Sequence, residues 1–429
     1  MRGRLLFVCI GLLLFAFVAG IYTPRGNQIR SWIKNWSENH GHRAINDETR
    51  LRTALMQLPQ RVYKTLTDSE NELPEIYIDI KFKHIQKIYH KRAQAIEKGI
   101  LVQQDDDLVP ATIRYNNRTI KTKLRLKGDW TDHLEGKKWS FRVHVKGKDQ
   151  LFGMRRFSIQ HPRVRGYQSE PIFMETLRHV GVLAPRYFFI NIVINGENLG
   201  TMALEEHFSK ELLEANGRRE GVIVRYDESL LWDARVLAIN ENNEAIFNSY
   251  RNASIDAFRT SRVQKSPILS ENYSVAVGLL RSFTRGDLPA SQVFEVKLMG
   301  RFLAVLEFWG ARHAMIWHNL RFYLNPVTLK LEPIGFDSDL HNREHPGTVI
   351  AQQEPIAAAI LADVEMFNVY HQTLTQLSNE VLDGSLIRKL QTVQDRHLKA
   401  LRKEFYFLER FPLEELKRRA TFFLSVDAD

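Results

Sequence analysis

Between residues 76 and 226 the sequence repeats short runs in which apolar and polar residues alternate; from Leu269 onward the runs lengthen and take a helical period. Alternation with period two puts successive side chains on opposite faces of a strand, whereas spacing of three to four marks one face of a helix. That order confines the chain to an α+β architecture, a β-rich N-terminal half followed by a helical C-terminal half. Strands are expected at 76–80, 111–115, 119–126, 139–145, 156–160, 187–194, 199–204 and 222–226. Asn116-Asn117, Gly147-Lys148 and Asn195-Gly196 supply turns, since Asn and Gly accept the positive φ of tight hairpins. Helices are expected at 82–98, 170–180, 205–215, 269–282, 291–317, 356–382 and 385–408, with one late hairpin, 321–325 and 330–336.

Composition narrows the class further. With 44% hydrophobic residues the chain can fill a core, which excludes a disordered tail. The single cysteine, Cys9, excludes an internal disulfide and a cysteine-rich zinc site. A net charge of +10 suits a phosphorylated ligand, an acidic polymer or an anionic membrane surface, and no nucleic-acid partner is expected.

Cys9 lies in a run from 5 to 22 that carries no charge and follows Arg2 and Arg4. Its length matches the roughly 17–25 residues that cross a bilayer. Val18-Ala19-Gly20 would allow cleavage as a signal peptide. The run is long for a signal core and ends at Tyr22, an interfacial residue type, so a single-pass anchor is the preferred reading of 1–22. With the amino terminus inside, the remainder faces outward. Residues 23–73 read as a helical stalk, and 74–429 as one domain with a β-rich lobe to 227 and a helical lobe from 228.

Four groups of residues invite chemistry. In Gly335-Phe336-Asp337-Ser338-Asp339 two carboxylates sit at i and i+2 where a strand ends, a spacing that can converge on one hard cation. In Leu124-Arg125-Leu126-Lys127-Gly128-Asp129-Trp130 alternation sets Arg125 and Lys127 on one strand face, and Lys138, Ser140 and Arg142 share a face of the next strand. Such a cationic face beside a glycine turn can clamp phosphate, or be the solvent side of a sheet. Glu205 and Glu206 follow the Asn195-Gly196 hairpin; as neighbours they cannot both point inward, and one is expected in solvent. His313, His318 and Asn319 lie just before the hairpin that leads to Asp337. No Walker loop, dinucleotide fingerprint or Gly-x-Ser-x-Gly elbow occurs.

The succession LRLKGDW, KKWSFRV, LFGMRRFSI, a strand ending NGENLG, then LEEHF and much later EPIGFDSDL resembles the CotH kinase family, over roughly 74–342. The resemblance implies a divergent protein-kinase-like fold and an ATP- and Mg²⁺-dependent phosphotransferase acting on Ser/Thr of a protein partner. In such enzymes a lysine pairs the nucleotide phosphates, a glutamate holds that lysine and an aspartate binds the metal. Carried onto this chain, Lys138 is the expected phosphate-pairing lysine and Glu205 or Glu206 its partner. Arg125 and Lys127 add phosphate contacts, and Asp337 and Asp339 take the metal. The family often carries an aspartate as base in the segment that here reads Gly310-Ala311-Arg312-His313-Ala314-Met315-Ile316-Trp317-His318-Asn319. Asn319 matches; no aspartate does, and His313 is the substitute. The same departure supports a different class, an inactive CotH-like domain that binds an anionic partner or polymer as a surface scaffold. A metal-dependent hydrolase of a surface polymer is a third.

Overall fold

A computed structural model describes residues 73–241, 249–340, 343–345, 347–406 and 408–426. The apolar run at 5–22 and the stalk lie outside the described residues, as do His341 and Asn342. Seven strands, β1 (Glu75–Asp79), β2 (Val109–Tyr115), β3 (Arg118–Leu126), β4 (Phe141–Val145), β5 (Arg156–Gln160), β6 (Tyr187–Ile194) and β7 (Glu197–Glu206), close into a barrel in the order β1-β2-β3-β4-β5-β7-β6. All neighbours run antiparallel except β1 and β6, which pair in parallel with Ile76 opposite Ile192. That last ladder closes the sheet and removes its free edges.

The expected protein-kinase-like fold gives way to this barrel. β1 is paired on both sides, so the β-rich half is a closed barrel and not the sheet lobe of a kinase. The expected membrane helix falls on residues outside those described; among the described residues no helix is long and apolar enough to cross a membrane.

Alternation explains how the barrel is filled. Leu124, Val143, Phe157, Ile192 and Leu204 point inward and are fully buried, so the interior is a packed apolar core. The residues between them, Arg125, Arg142, Ser158 and Glu205, form one cross-strand row on the outer face. Much of that face is covered by the rest of the chain.

The second body is a small sheet of β8 (Ile223–Tyr226), β9 (Ile255–Ala257), β10 (Arg321–Leu324) and β11 (Leu331–Ile334), ordered β11-β10-β8-β9. It shares a core with the helices Pro267–Arg285, Val296–Trp309, Val364–Leu382 and Glu414–Val426. The chain does not divide cleanly at 227. Helix Ser169–His179 comes from the β-rich part but buries Phe173 against Trp309, at 6.2 Å between ring centroids.

Four expected helices differ clearly in extent; the run 385–408 stops at Leu401. The run 291–317 breaks at Gly310, which adopts φ +66 and ends helix Val296–Trp309 with its N–H on the carbonyls of Leu306 and Glu307. Glycine takes this left-handed conformation without steric cost. The run 356–382 divides where the Asp363 carboxylate caps helix Val364–Leu382 by accepting from the Glu365 N–H at 3.0 Å. The run 205–215 becomes helical only at Lys210, because Glu205 and Glu206 still pair with Ser158 and Phe157 of β5.

Candidate anion-binding cleft

The outward rows of β3, β4 and β5 form one wall of a cavity of about 1310 Å³, and the segments around His313–Arg321 and Phe336–Asp339 form another. From the barrel strands this wall receives Arg125, Arg142, His144 and Arg156, with Lys127 just past the end of β3. Lys127 is placed by the turn after it. Gly128 has φ +106, and a Cβ there would stand 2.3 Å from the His133 ring, so only glycine lets the chain turn this tightly.

A line of opposite charges crosses the inner end of the cleft. Lys127 Nζ donates to Gln160 Oε1 and Glu205 Oε2, both at 2.6 Å. Glu205 Oε1 lies 3.6 Å from Arg165 Nε, and Arg165 donates in turn to Asp337 Oδ1. His313 Nε2 stands 3.4 Å from Asp337 Oδ2. Arg165 ends the short turn Pro162–Arg165, and its guanidinium lies over the Phe336 ring at 5.2 Å. Asp337 and Asp339 follow β11 with φ +55 and +39. Non-glycine residues in this region are strained, and such strain collects at functional sites. Glu170 helps hold the turn: its Oε2 accepts from the Ser338 N–H at 3.2 Å and from the hydroxyl at 2.5 Å.

The electrostatics follow from burial and this alternation. Burial pushes Lys127 down to about 8, even with Glu205 beside it. Burial works against the charge of Glu205 too, but Lys127 and Arg165 outweigh it and hold the carboxyl below its usual range. Asp337 is likewise buried, yet Arg165 and His313 hold it far below the usual carboxylate range. His313 loses by burial and gains more from Asp337, so its imidazolium form is favoured beyond the ordinary range. Glu170, with less compensation for its burial, is pushed up to about 7.

Of the residues singled out in sequence, Arg125, Lys127, His313, Asn319, Asp337 and Asp339 line the cleft, and Glu205 backs it through Lys127. Two do not join them. Lys138 does not line the cleft; it precedes β4 and bonds to Glu404 and, at 3.1 Å, to the Thr201 carbonyl. The lysine held by Glu205 is Lys127, while Lys138 has a different glutamate, Glu404. Glu206 points to the other side of β7, where Arg186 Nε donates to it at 3.0 Å. It is 2% exposed, so neither glutamate stands in solvent; each has its own cationic partner. The Asn319 side chain donates to the His313 carbonyl at 2.9 Å and so braces that segment. Sequence reasoning missed Arg165, Glu170 and Arg156. Arg156 was legible as the first outward position of an alternating strand. Arg165 sits in an irregular turn whose neighbours in space are far away in sequence, and nothing local marks it.

Asp337 and Asp339 are the oxygen donors that the turn after β11 offers a hard cation, and Asp129 and Glu228 line the cleft as well. Mg²⁺ is commonly held by one or two carboxylates with water and substrate phosphates completing its shell, and two aspartates fit that pattern. Among the described residues no group of three or more His, Cys, Asp or Glu side chains is arranged to hold a metal, so the protein would supply only part of the shell. Arg165 already engages Asp337 and would have to share it. No family model matches the chain, and no curated protein matches its sequence.

Proposed function

We propose that this chain is a CotH-like phosphotransferase that binds ATP in the cleft and moves its terminal phosphoryl group to a Ser/Thr hydroxyl of a protein partner. One observation carries the reading: a lysine held by a buried glutamate and a strained aspartate pair meet on one cationic cleft. Lys127 and Arg125 would bind the phosphates as charged donors. Asp337 and Asp339 would hold Mg²⁺, which supplies charge neutralisation to the phosphate oxygens. In the transfer the bond from the terminal phosphorus to its bridging oxygen breaks, the nucleoside diphosphate leaves with that oxygen, and the hydroxyl oxygen forms the new bond. The hydroxyl proton goes to a base on the Asp337 wall. His313 is placed for this, but Asp337 favours its protonated form, so it accepts a proton only after giving one up.

A second reading has an observation of its own. Arg165 and His313 already occupy both carboxylate oxygens of Asp337, as they would in a domain that binds an anion and turns nothing over. Mg²⁺-dependent ATP binding by the full chain separates the two. The expected result is at least a tenfold loss in Lys127→Met and in Asp337→Ala, with Lys138→Met within about twofold of the parent, since a charged hydrogen bond contributes roughly 1.5–3 kcal/mol. Equal binding by all variants, or by none, sinks the phosphotransferase reading.

A further inference from the structure

Farther along the same wall, beginning with Arg142 opposite Arg125, stand guanidinium groups that form no ion pair with a carboxylate among the described residues. Arg142 and Arg156 are diagonal neighbours on the outer face of β4 and β5: Arg142 faces Ser158, and Arg156 faces His144. Arg259, held at φ +62, comes to this cavity from the segment after β9. None of the three side chains has a hydrogen bond or ion pair among the described residues, and Nε and Nη1 of Arg259 are buried without a partner. His144 and His207 line the same region.

Two carboxylates reach these cations through space without pairing with them. Glu205, whose field reaches Arg142, is bonded to Lys127. Glu211, whose field reaches Arg156 and Arg259, accepts from the Ser209 hydroxyl at 2.7 Å. Burial is the main cause that lowers each cation, and neighbouring cations add to it: Arg142 falls to about 9, Arg156 to about 10 and His144 to about 3. Charge that is half-buried and only partly compensated is costly, and an anion that completes the cluster would relieve it. Planar guanidinium forks match the oxygens of phosphate in particular.

We infer that Arg142, Arg156 and Arg259 form a second oxyanion subsite, which takes a phosphate monoester group carried by the acceptor substrate. Arg142 faces Arg125 across β3 and β4, so the subsite adjoins the residues assigned to ATP, and its far end is set by the next strand. Arg156 and Gln160, the residue that anchors Lys127, lie four residues apart on one strand face, about 13 Å along β5 at ~3.3 Å per residue. That is well beyond the width of one phosphate group. Assigning this anion to the acceptor rests on the phosphotransferase reading; the subsite itself does not. The acceptor is then a protein or polymer that already carries phosphate near the hydroxyl to be modified.

Calorimetry of the full chain with inorganic phosphate, without Mg²⁺ and at low ionic strength, reads the subsite directly. The double variant Arg142→Gln/Arg156→Gln should bind phosphate at least tenfold more weakly, while Asp337→Asn stays within about twofold of the parent. Thermal unfolding gives an independent readout. The double variant should melt higher than the parent without ligand, because it has lost charge that is only partly compensated, and phosphate should no longer raise its Tm. Unchanged phosphate affinity in the double variant, an equal loss in Asp337→Asn, or no phosphate binding by the parent would overturn the subsite. So would displacement of phosphate by ATP with Mg²⁺. A parent that binds phosphate through these arginines but never binds ATP would remove the phosphotransferase reading and leave the subsite standing.

Discussion

The strands β3, β4, β5 and β7 present two opposed faces built from alternate residues of the same segments. Inward, Leu124, Val143, Phe157 and Leu204 fill the barrel with apolar volume. Outward, Arg125, Arg142, Ser158 and Glu205 cross the sheet in one row, buried to different degrees beneath the second body. Neither face is in open water, yet their stabilities have different origins. The inner face is held by area removed from water and by close packing. The outer face holds only while each buried charge finds an opposite one; ion pairs run along Lys127–Glu205–Arg165–Asp337, whereas the half-buried Arg142, Arg156 and Arg259 form none among the described residues. A sheet can therefore be a scaffold on one side and a binding surface on the other without any change in backbone.

The largest expected effect tests the outer face. Glu205→Ala leaves Lys127 and Arg165 facing each other across a vacated counter-charge, and breaking a buried pair this way costs about 3–5 kcal/mol. Urea unfolding measures it; a loss under about 1 kcal/mol would show that Glu205 is not what compensates these cations. On the inner face, Leu124→Ala should cost about 2–5 kcal/mol through the cavity it leaves, while ATP affinity stays within about twofold. If affinity fell in proportion to stability, the two faces would not be separable.

The smallest effect is a pH dependence. Lys127, pushed down to about 8, is charged below that pH and neutral above it. Between pH 7 and 9 ATP affinity should therefore fall by up to about tenfold, as the charged fraction of a group with that pKa does. Stability moves the other way. Between about 8 and 10.5 the unfolded chain holds a proton on Lys127 that the folded chain has shed, so this residue's contribution to stability rises with pH. Dissociation constants at pH 7, 8 and 9 check the first part, and a flat profile would mean that Lys127 does not meet the ligand as a cation.

Local signals made much of the fold legible. Helix Phe82–Lys98 and strands β5 and β6 follow directly from periodicity, and the outward positions Arg125, Lys127 and Arg142 follow from alternation alone. What failed was everything that depends on who sits opposite. Lys138 and Lys127 both lie near the glycine turn, and the sequence holds no information on which one meets Glu205. The pairing of Lys138 with Glu404 spans 266 positions, which no local pattern encodes. One of Glu205 and Glu206 was expected in solvent because sequence shows that the two diverge, but not that Arg186 waits on the far side.

Sequence by itself determined which residues share a face, because the two-residue and 3.6-residue periods are properties of a single segment. It determined the clustering of positive charge on β3 and β4 and the strand-end aspartates. Only the tertiary structure decided that β1 pairs with both β2 and β6 and so closes a barrel, since the register between distant strands depends on all of them at once. It alone decided which cations are neutralised by a carboxylate and which are left facing an open cleft. Charge compensation is a relation between elements in space, and no element carries it alone.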